Sequence, residues 1–298
     1  MIYTVTFNPA LDYVIHTDNL AIGKTNRSLR ENIFFGGKGI NVSVVLSRLG
    51  VCTTALGFTA GFTGEALEAY LDKENIKTDF IRLKQGNTRI NVKLKGENET
   101  EINAAGPEIT EADIEMLFEK LNSIKSGDVL VLSGSVPKTV KKDIYARILL
   151  FVQNKGIRTV VDAAGELLLS ALKCKPFLIK PNIDELAEIS GRELKCAEDI
   201  SAAALKLKEL GAVNVLVSMG KNGALLIDEF GGVHLKQALG GEPVNTVGAG
   251  DSMVAGFLAG CEKGYEYALR LSLASGGATA CSEDLATKEQ IEELLKTV

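Results

Sequence analysis

One acid set among small residues is the feature of this chain best suited to chemistry. Asn245-Thr-Val-Gly-Ala-Gly-Asp251 runs into Ser-Met-Val-Ala-Gly-Phe-Leu-Ala-Gly260, whose apolar character predicts a buried helix to about Lys263. Gly248, Ala249 and Gly250 at a helix start leave backbone N–H groups uncovered. With the helix dipole, those groups make a site for an anion. A carboxylate at Asp251 sits inside that positive field and would repel a bound phosphate unless it has a task. Accepting the proton of a hydroxyl that attacks the phosphate is such a task; a plain first-turn acid is the bland alternative.

A second glycine-rich turn, Phe35-Gly-Gly-Lys-Gly-Ile-Asn-Val-Ser43, precedes Val42, Val45, Leu46 and Leu49 at helical spacing, with Gly50 as a stop. Glycines here let the backbone approach a ligand, Lys38 offers a positive charge and Asn41 a hydrogen bond to a hydroxyl. Asp12 follows the Asn8-Pro9 break and is expected just beyond a strand's carboxyl end, where open α/β sheets bind ligands; a solvated loop acid is the alternative. Arg89 falls on the polar face of Asn87–Lys95, where Ile90, Val92 and Leu94 alternate with polar residues. It is either a solvated strand residue or a phosphate ligand.

The elements that must hold these residues are legible as a pattern. Residues 2–7 read as a strand apolar on both faces. The stretch 87–104 reads as a hairpin, expected to pair with strands from 13–35 in a small antiparallel sheet, a lid that excludes water. From Thr110 onward helices and strands alternate: strands near 128–133, 158–162, 177–180 and 213–218, and helices near 141–155, 165–172 and after Pro181. Repeated βα units predict a doubly wound, mostly parallel sheet with helices on both faces. The expected division is a core of 1–10, 36–86 and 105–298 and a lid of 11–35 and 87–104.

Bulk composition excludes several classes. A chain of 298 residues, 46% hydrophobic, can bury a large core. Its net charge of −5 argues against nucleic-acid binding. Five scattered cysteines without a C-x-x-C pair argue against a zinc site or disulfide framework. No membrane partner is expected, since no apolar run reaches spanning length, and the lack of a signal-like start predicts a cytoplasmic protein. His16 and His234, the only histidines, read as surface residues. The turn after the first strand lacks a dinucleotide fingerprint, and Ser135-Val-Pro-Lys138 is a chance S-x-x-K match.

Taken together, Gly36–Ser43 and Thr246–Asp251, with Asn182-x-x-Glu185 and Ser218-Met-Gly-Lys-Asn-Gly223 between them, resemble the signatures of the PfkB/ribokinase family of sugar kinases in order and spacing. Asn8–Asp12, Thr88–Lys93 and Glu99–Asn103 most resemble members acting on phosphorylated ketoses, fructose 1-phosphate first and tagatose 6-phosphate next. The resemblance implies ATP-dependent phosphorylation of a ketose phosphate, with Asp251 as base and the amides of Gly248, Ala249 and Gly250 as anion hole. Asp12, Gly36, Gly37, Lys38, Asn41, Arg89 and Asn103 would bind the sugar phosphate. Glu185 and Asn182 would organise Mg²⁺ through water. Asn182, Ser218, Met219, Gly220, Lys221, Asn222, Gly223 and the 248–250 turn would hold the nucleotide. A homodimer joined through the lid is implied by analogy, and a sugar-phosphate-binding regulator is the non-enzymatic alternative. Asn245 stands where many relatives carry an acid, so no monovalent-cation site is carried over.

Overall fold

The structure, a computed structural model, describes residues 1–18 and 20–297. Strands β1 (Ile2–Thr6), β2 (Ala10–His16) and β3 (Arg30–Gly36) lead to helix α1 (Lys38–Arg48), then β4 (Thr53–Ala60) and α2 (Gly61–Lys73). Short β5 (Lys77–Thr78) and β6 (Ile81–Leu83) precede β7 (Arg89–Lys95) and β8 (Glu99–Asn103). The alternating half follows: α3 (Glu111–Leu121), β9 (Val129–Ser133), α4 (Ile144–Val152), β10 (Arg158–Asp162), α5 (Gly165–Leu172), β11 (Leu178–Ile179), α6 (Ile183–Ser190), α7 (Ala197–Glu209) and β12 (Asn214–Ser218). It closes with β13 (Ala224–Ile227), β14 (Val233–Lys236), α8 (Ala249–Gly260), α9 (Tyr265–Ala280) and α10 (Lys288–Leu295).

Ten strands form one sheet in the order β14-β13-β12-β11-β10-β9-β1-β4-β5, with β6 on β4. It is parallel from β12 to β4 and closes with antiparallel β13 and β14. Its central strands, such as β9, β10 and β12, are largely apolar on both faces because helices cover both. In β9, Leu130 and Leu132 join the layer of α3 to α7, while Val129 and Val131 join the layer of α1, α2, α8, α9 and α10. From β1 the order runs to β4 on one side and to β9 on the other, and a crevice opens outside the carboxyl ends of the strands at such a reversal.

The other four strands form a separate small sheet, β3-β2-β7-β8. Its two outer pairs are antiparallel, as expected, while the central β2–β7 pair is parallel. Both central strands leave the core in the same direction, from Pro9 and from Thr88, so Ala10 pairs with Arg89 and the rest stay in register. Alternation then assigns the faces. Ala10, Asp12, Val14 and His16 of β2 and Arg89, Asn91, Lys93 and Lys95 of β7 look toward the core crevice.

Two differences from the sequence reading matter here. Asp12 lies inside β2 and not in a loop, because the chain resumes extended pairing directly after Pro9. Helix α7 was not anticipated; its buried Ile200, Ala203, Ala204 and Leu207 form a narrow stripe in a segment where small alanines blur the apolar face.

Candidate active site

The crevice is a cavity of about 610 Å³ between the strand ends of the large sheet and the inner face of the small one. Its floor is built by α8. Gly248, the N-cap, has φ +79°, a conformation that favours glycine, and a Cβ there would lie 2.6 Å from Leu285 Cδ2 and displace that methyl. The N–H of Ala249 reaches back to Thr246 O at 3.3 Å, whereas no partner is found among the described residues for the N–H groups of Gly248, Gly250 and Asp251. Of the three residues named from the sequence, Gly248 and Gly250 keep uncommitted donors and line the cavity, Asp251 adds a third, and Ala249 does not line it.

Asp251, 5% exposed, opens onto these amides. Its Oδ2 accepts from Asn41 Nδ2 at 2.7 Å. Burial pushes its pKa up to about 7, reinforced by the charge of Asp162 and opposed by Lys38, the Asn41 hydrogen bond and Lys180. That places the carboxyl near the range where a base works best at neutral pH.

Lys38 opens α1 after Gly37, whose φ of +125° and would-be Cβ contacts of 3.0 Å to Thr6 Cγ2 and 3.1 Å to Pro9 Cα let the turn pass tightly over the end of β1. Its ammonium pairs with Asp162 Oδ1 at 3.0 Å, and Lys180 Nζ lies 3.6 Å from the same oxygen. Asp162 is fully buried; burial would raise its pKa, but the two ammonium groups outweigh this and hold it low. Burial likewise disfavours the charge on Lys38, yet Asp162 and Asp251 together keep it above the ordinary lysine range. Lys38 is thus a fixed cation beside the base. Asp162 and Lys180 were not singled out from the sequence. Both stand at carboxyl ends of strands, the positional signal already applied to Asp12.

On the small sheet, Asp12 accepts from Asn91 Nδ2 at 2.8 Å and pairs with Lys93 Nζ at 3.1 Å. Arg89 lines the same wall, its Nε buried without a partner, and burial lowers its pKa against the attraction of Asp12. Asn91 and Lys93 were missed although they share period two with Arg89. Asn103 pairs with Asn91 from the edge strand, is exposed and does not line the cavity. His16 lies on the cavity wall, not on the outer surface, since β2 turns its even positions inward; His234 is half buried between Asp228 and Glu266.

At the far end, Asn182 and Glu185 cap α6 reciprocally: Asn182 Oδ1 accepts from Glu185 N–H at 2.7 Å, and Glu185 Oε2 from Asn182 N–H at 2.9 Å. A β-bridge joins Asn182 to Ser218, so the α6 cap and the end of β12 lie side by side. Ser218, Asn182 and Glu185 line the cavity, as do Gly36, Gly37, Lys38, Asn41, Gly248 and Gly250. Gly220, Lys221, Asn222 and Gly223 form the turn beyond Ser218 and lie outside it, and Met219 is core. Asn245 ties the α8 approach to the loop after α9, donating to Glu283 O at 3.0 Å.

A buried carboxylate beside free helix amides, a fixed cation and a wall of polar groups is an arrangement suited to phosphoryl transfer. The chain belongs to the pfkB family of carbohydrate kinases, whose model matches residues 5–291. It is 46% identical to a Bacillus subtilis 1-phosphofructokinase over 100% of this chain and 98% of the relative. It is 38% identical to a Bacillus licheniformis D-tagatose-1-phosphate kinase over 98% of this chain and 97% of that one. The fold matches phosphofructokinase-2 from Escherichia coli, solved in complex with substrates and products, with a TM-score of 0.93 at 31% identity over 99% and 98% of the two chains. The protein is therefore a kinase that uses ATP.

Proposed function

We propose that this kinase transfers the γ-phosphoryl group of ATP to the 6-hydroxyl of D-fructose 1-phosphate, giving fructose 1,6-bisphosphate. The observation that carries the reading is the single cavity joining Asp251 and the α8 amides to the Asp12 and Arg89 wall. The 46% identity to a 1-phosphofructokinase points the same way. The 6-hydroxyl proton passes to Asp251, the O6–P bond forms, and the bond between the γ-phosphorus and the β–γ bridging oxygen breaks, releasing ADP. The N–H groups of Gly248, Gly250 and Asp251, with Ala249 shaping the turn, hold the charge spread over the moving phosphoryl group. Lys38, kept charged by Asp162, adds a cation on the same side.

Asp12 and Asn41 fix which hydroxyl faces the base, and Gly36 and Gly37 let the sugar approach the backbone. The unpartnered Arg89 Nε supports that residue as a ligand of the phosphate already on the sugar. Ser218 and the 219–223 turn border the nucleotide. Glu185 lines the cavity and keeps Oε1 outside its cap; such a hard oxygen suits a hydrated Mg²⁺, with Asn182 acting chiefly as the cap that orients Glu185. When bound, Mg²⁺ neutralises charge on the donor phosphates.

We read the small sheet (within 11–35 and 87–104) as a lid over the 1–10, 36–86 and 105–298 core. Its outer face exposes Ile33 at 56%, Ile90 at 38% and Ile102 at 59%, which supports a homodimer joined there. Free cysteines and ATP as donor support a cytoplasmic setting. A second ketose, tagatose 1-phosphate, is favoured by the name of the B. licheniformis relative.

A coupled assay of ADP release across fructose 1-phosphate, fructose 6-phosphate, tagatose 1-phosphate, tagatose 6-phosphate and ribose tests the reading. It predicts the largest kcat/KM for fructose 1-phosphate. Faster turnover of another sugar reassigns the substrate, and binding of a sugar phosphate without turnover of any would make the protein a regulator.

A further inference from the structure

Asn91 is held in one orientation by its neighbour. A carboxylate only accepts hydrogen bonds, so Asn91 must turn its NH₂ toward Asp12, which it meets at 2.8 Å, and its carbonyl away. That oxygen, Oδ1, is buried without a hydrogen-bond partner in a residue only 7% exposed that lines the cavity. A buried acceptor left empty is costly, and a donor entering the cavity beside Asn91 would relieve that cost. Phosphate oxygens at neutral pH accept but do not donate, so the group that fits is a hydroxyl. Arg89, two residues earlier on the same face, offers the opposite chemistry and takes the phosphate. Lys93, two residues later, grips Asp12 Oδ2 at 3.1 Å, which leaves that carboxylate fixed by β7 on both oxygens.

We propose that Asn91 reads the stereochemistry of the acceptor sugar: Oδ1 accepts the proton of one ring hydroxyl while Nδ2 holds Asp12 to accept from its neighbour. Two adjacent hydroxyls are thus checked together, and an epimer at either carbon leaves one of the two acceptors empty. Lys93 is a positioning residue that acts through Asp12. The inference rests on the reading of the protein as a ketose-phosphate kinase.

The test uses the full chain with Asn91→Leu, which keeps bulk and removes both polar groups, and Asn91→Ser as a second variant should the first melt early by circular dichroism. Steady-state constants are measured for D-fructose 1-phosphate, its C3 epimer D-psicose 1-phosphate, its C4 epimer D-tagatose 1-phosphate, and ATP. The expected result is a KM for fructose 1-phosphate raised roughly 10- to 100-fold, with KM for ATP within about twofold of wild type. The ratio of kcat/KM between fructose 1-phosphate and the epimer that wild type disfavours should fall toward one. An unchanged KM overturns the proposal. So does a wild type that does not discriminate the epimers, or an equal loss on all three sugars, which would assign Asn91 to holding Asp12 alone. Should wild type turn over none of the three, the kinase reading fails separately. Calorimetric binding of the same esters then decides: affinity lost selectively in the variant supports the contact, and equal or absent binding overturns it.

Discussion

Asp251 carries two opposed demands, and both are measurable. As a base it must be ionised at working pH, so kcat/KM should rise with pH and level off above an apparent pKa near 7. Asn41 Nδ2 donates to the charged form and lowers that value, so Asn41→Ala should move the midpoint to higher pH; a midpoint unchanged or lower would remove Asn41 from the tuning. As a buried acid it burdens the fold. Its folded pKa lies above the unfolded value near 3.9, so its stabilising contribution is complete below about pH 4 and is lost as pH rises to about 7. Asp251→Asn should therefore raise Tm, with a gain that grows from pH 5 to pH 8 and reaches up to about 4 kcal/mol. Thermal melts of both proteins across that range check it, and a gain independent of pH would contradict it. At this scale the sequence was informative where the chemistry is local: Asp251 follows its own amides in the chain. Asp162 and Lys180 were not legible, because their partnership with Lys38 exists only once β10 and β11 lie near α1. Asn91 was overlooked in favour of Asn103: the two share a face, and strand order decides between them by making β7 central and β8 the edge.

Elements place these groups through turns that tolerate one residue type. Gly248 at φ +79° faces Leu285, so Gly248→Ala should destabilise by about 1–3 kcal/mol in urea and lower kcat by displacing the amides of α8. A variant that keeps both stability and kcat would show the turn to be permissive. Most elements were readable from periodicity and stops, as in α1, where Gly50 follows the last turn. Where the reading failed, tertiary pairing overrode a local cue. Pro9 looks like a terminator, yet β2 begins on the next residue because β3 and β7 supply partners on both sides. The parallel β2–β7 pair was equally hidden, since the direction in which two strands leave a core is not written in either strand.

The whole molecule sets a ten-stranded sheet against a four-stranded one, with the reacting groups divided between them. Neither sheet alone forms the candidate site: Asp251, Lys38 and Glu185 come from helices α8, α1 and α6 packed on the large one, Asp12, Asn91 and Arg89 from the small one. The small sheet's outer face leaves Ile33 and Ile102 open, which suits a second copy of the chain. Ile33→Asp combined with Ile102→Asp should shift sedimentation velocity from dimer to monomer, and an unchanged species would refute the interface. The two-sheet division followed from the change in periodicity between 87–104 and the later βα repeats. The cavity between them did not, because it depends on how one sheet sits over the other.

The central claim is that Asp251 takes the hydroxyl proton while α8 amides hold the migrating phosphoryl group. The measurement that tests it most directly is the steady-state kinetics of Asp251→Asn with ATP and fructose 1-phosphate. The account predicts kcat reduced about 10²- to 10⁴-fold with both KM values within a few-fold of wild type. A variant that retains kcat, or one that loses substrate binding instead, would contradict it.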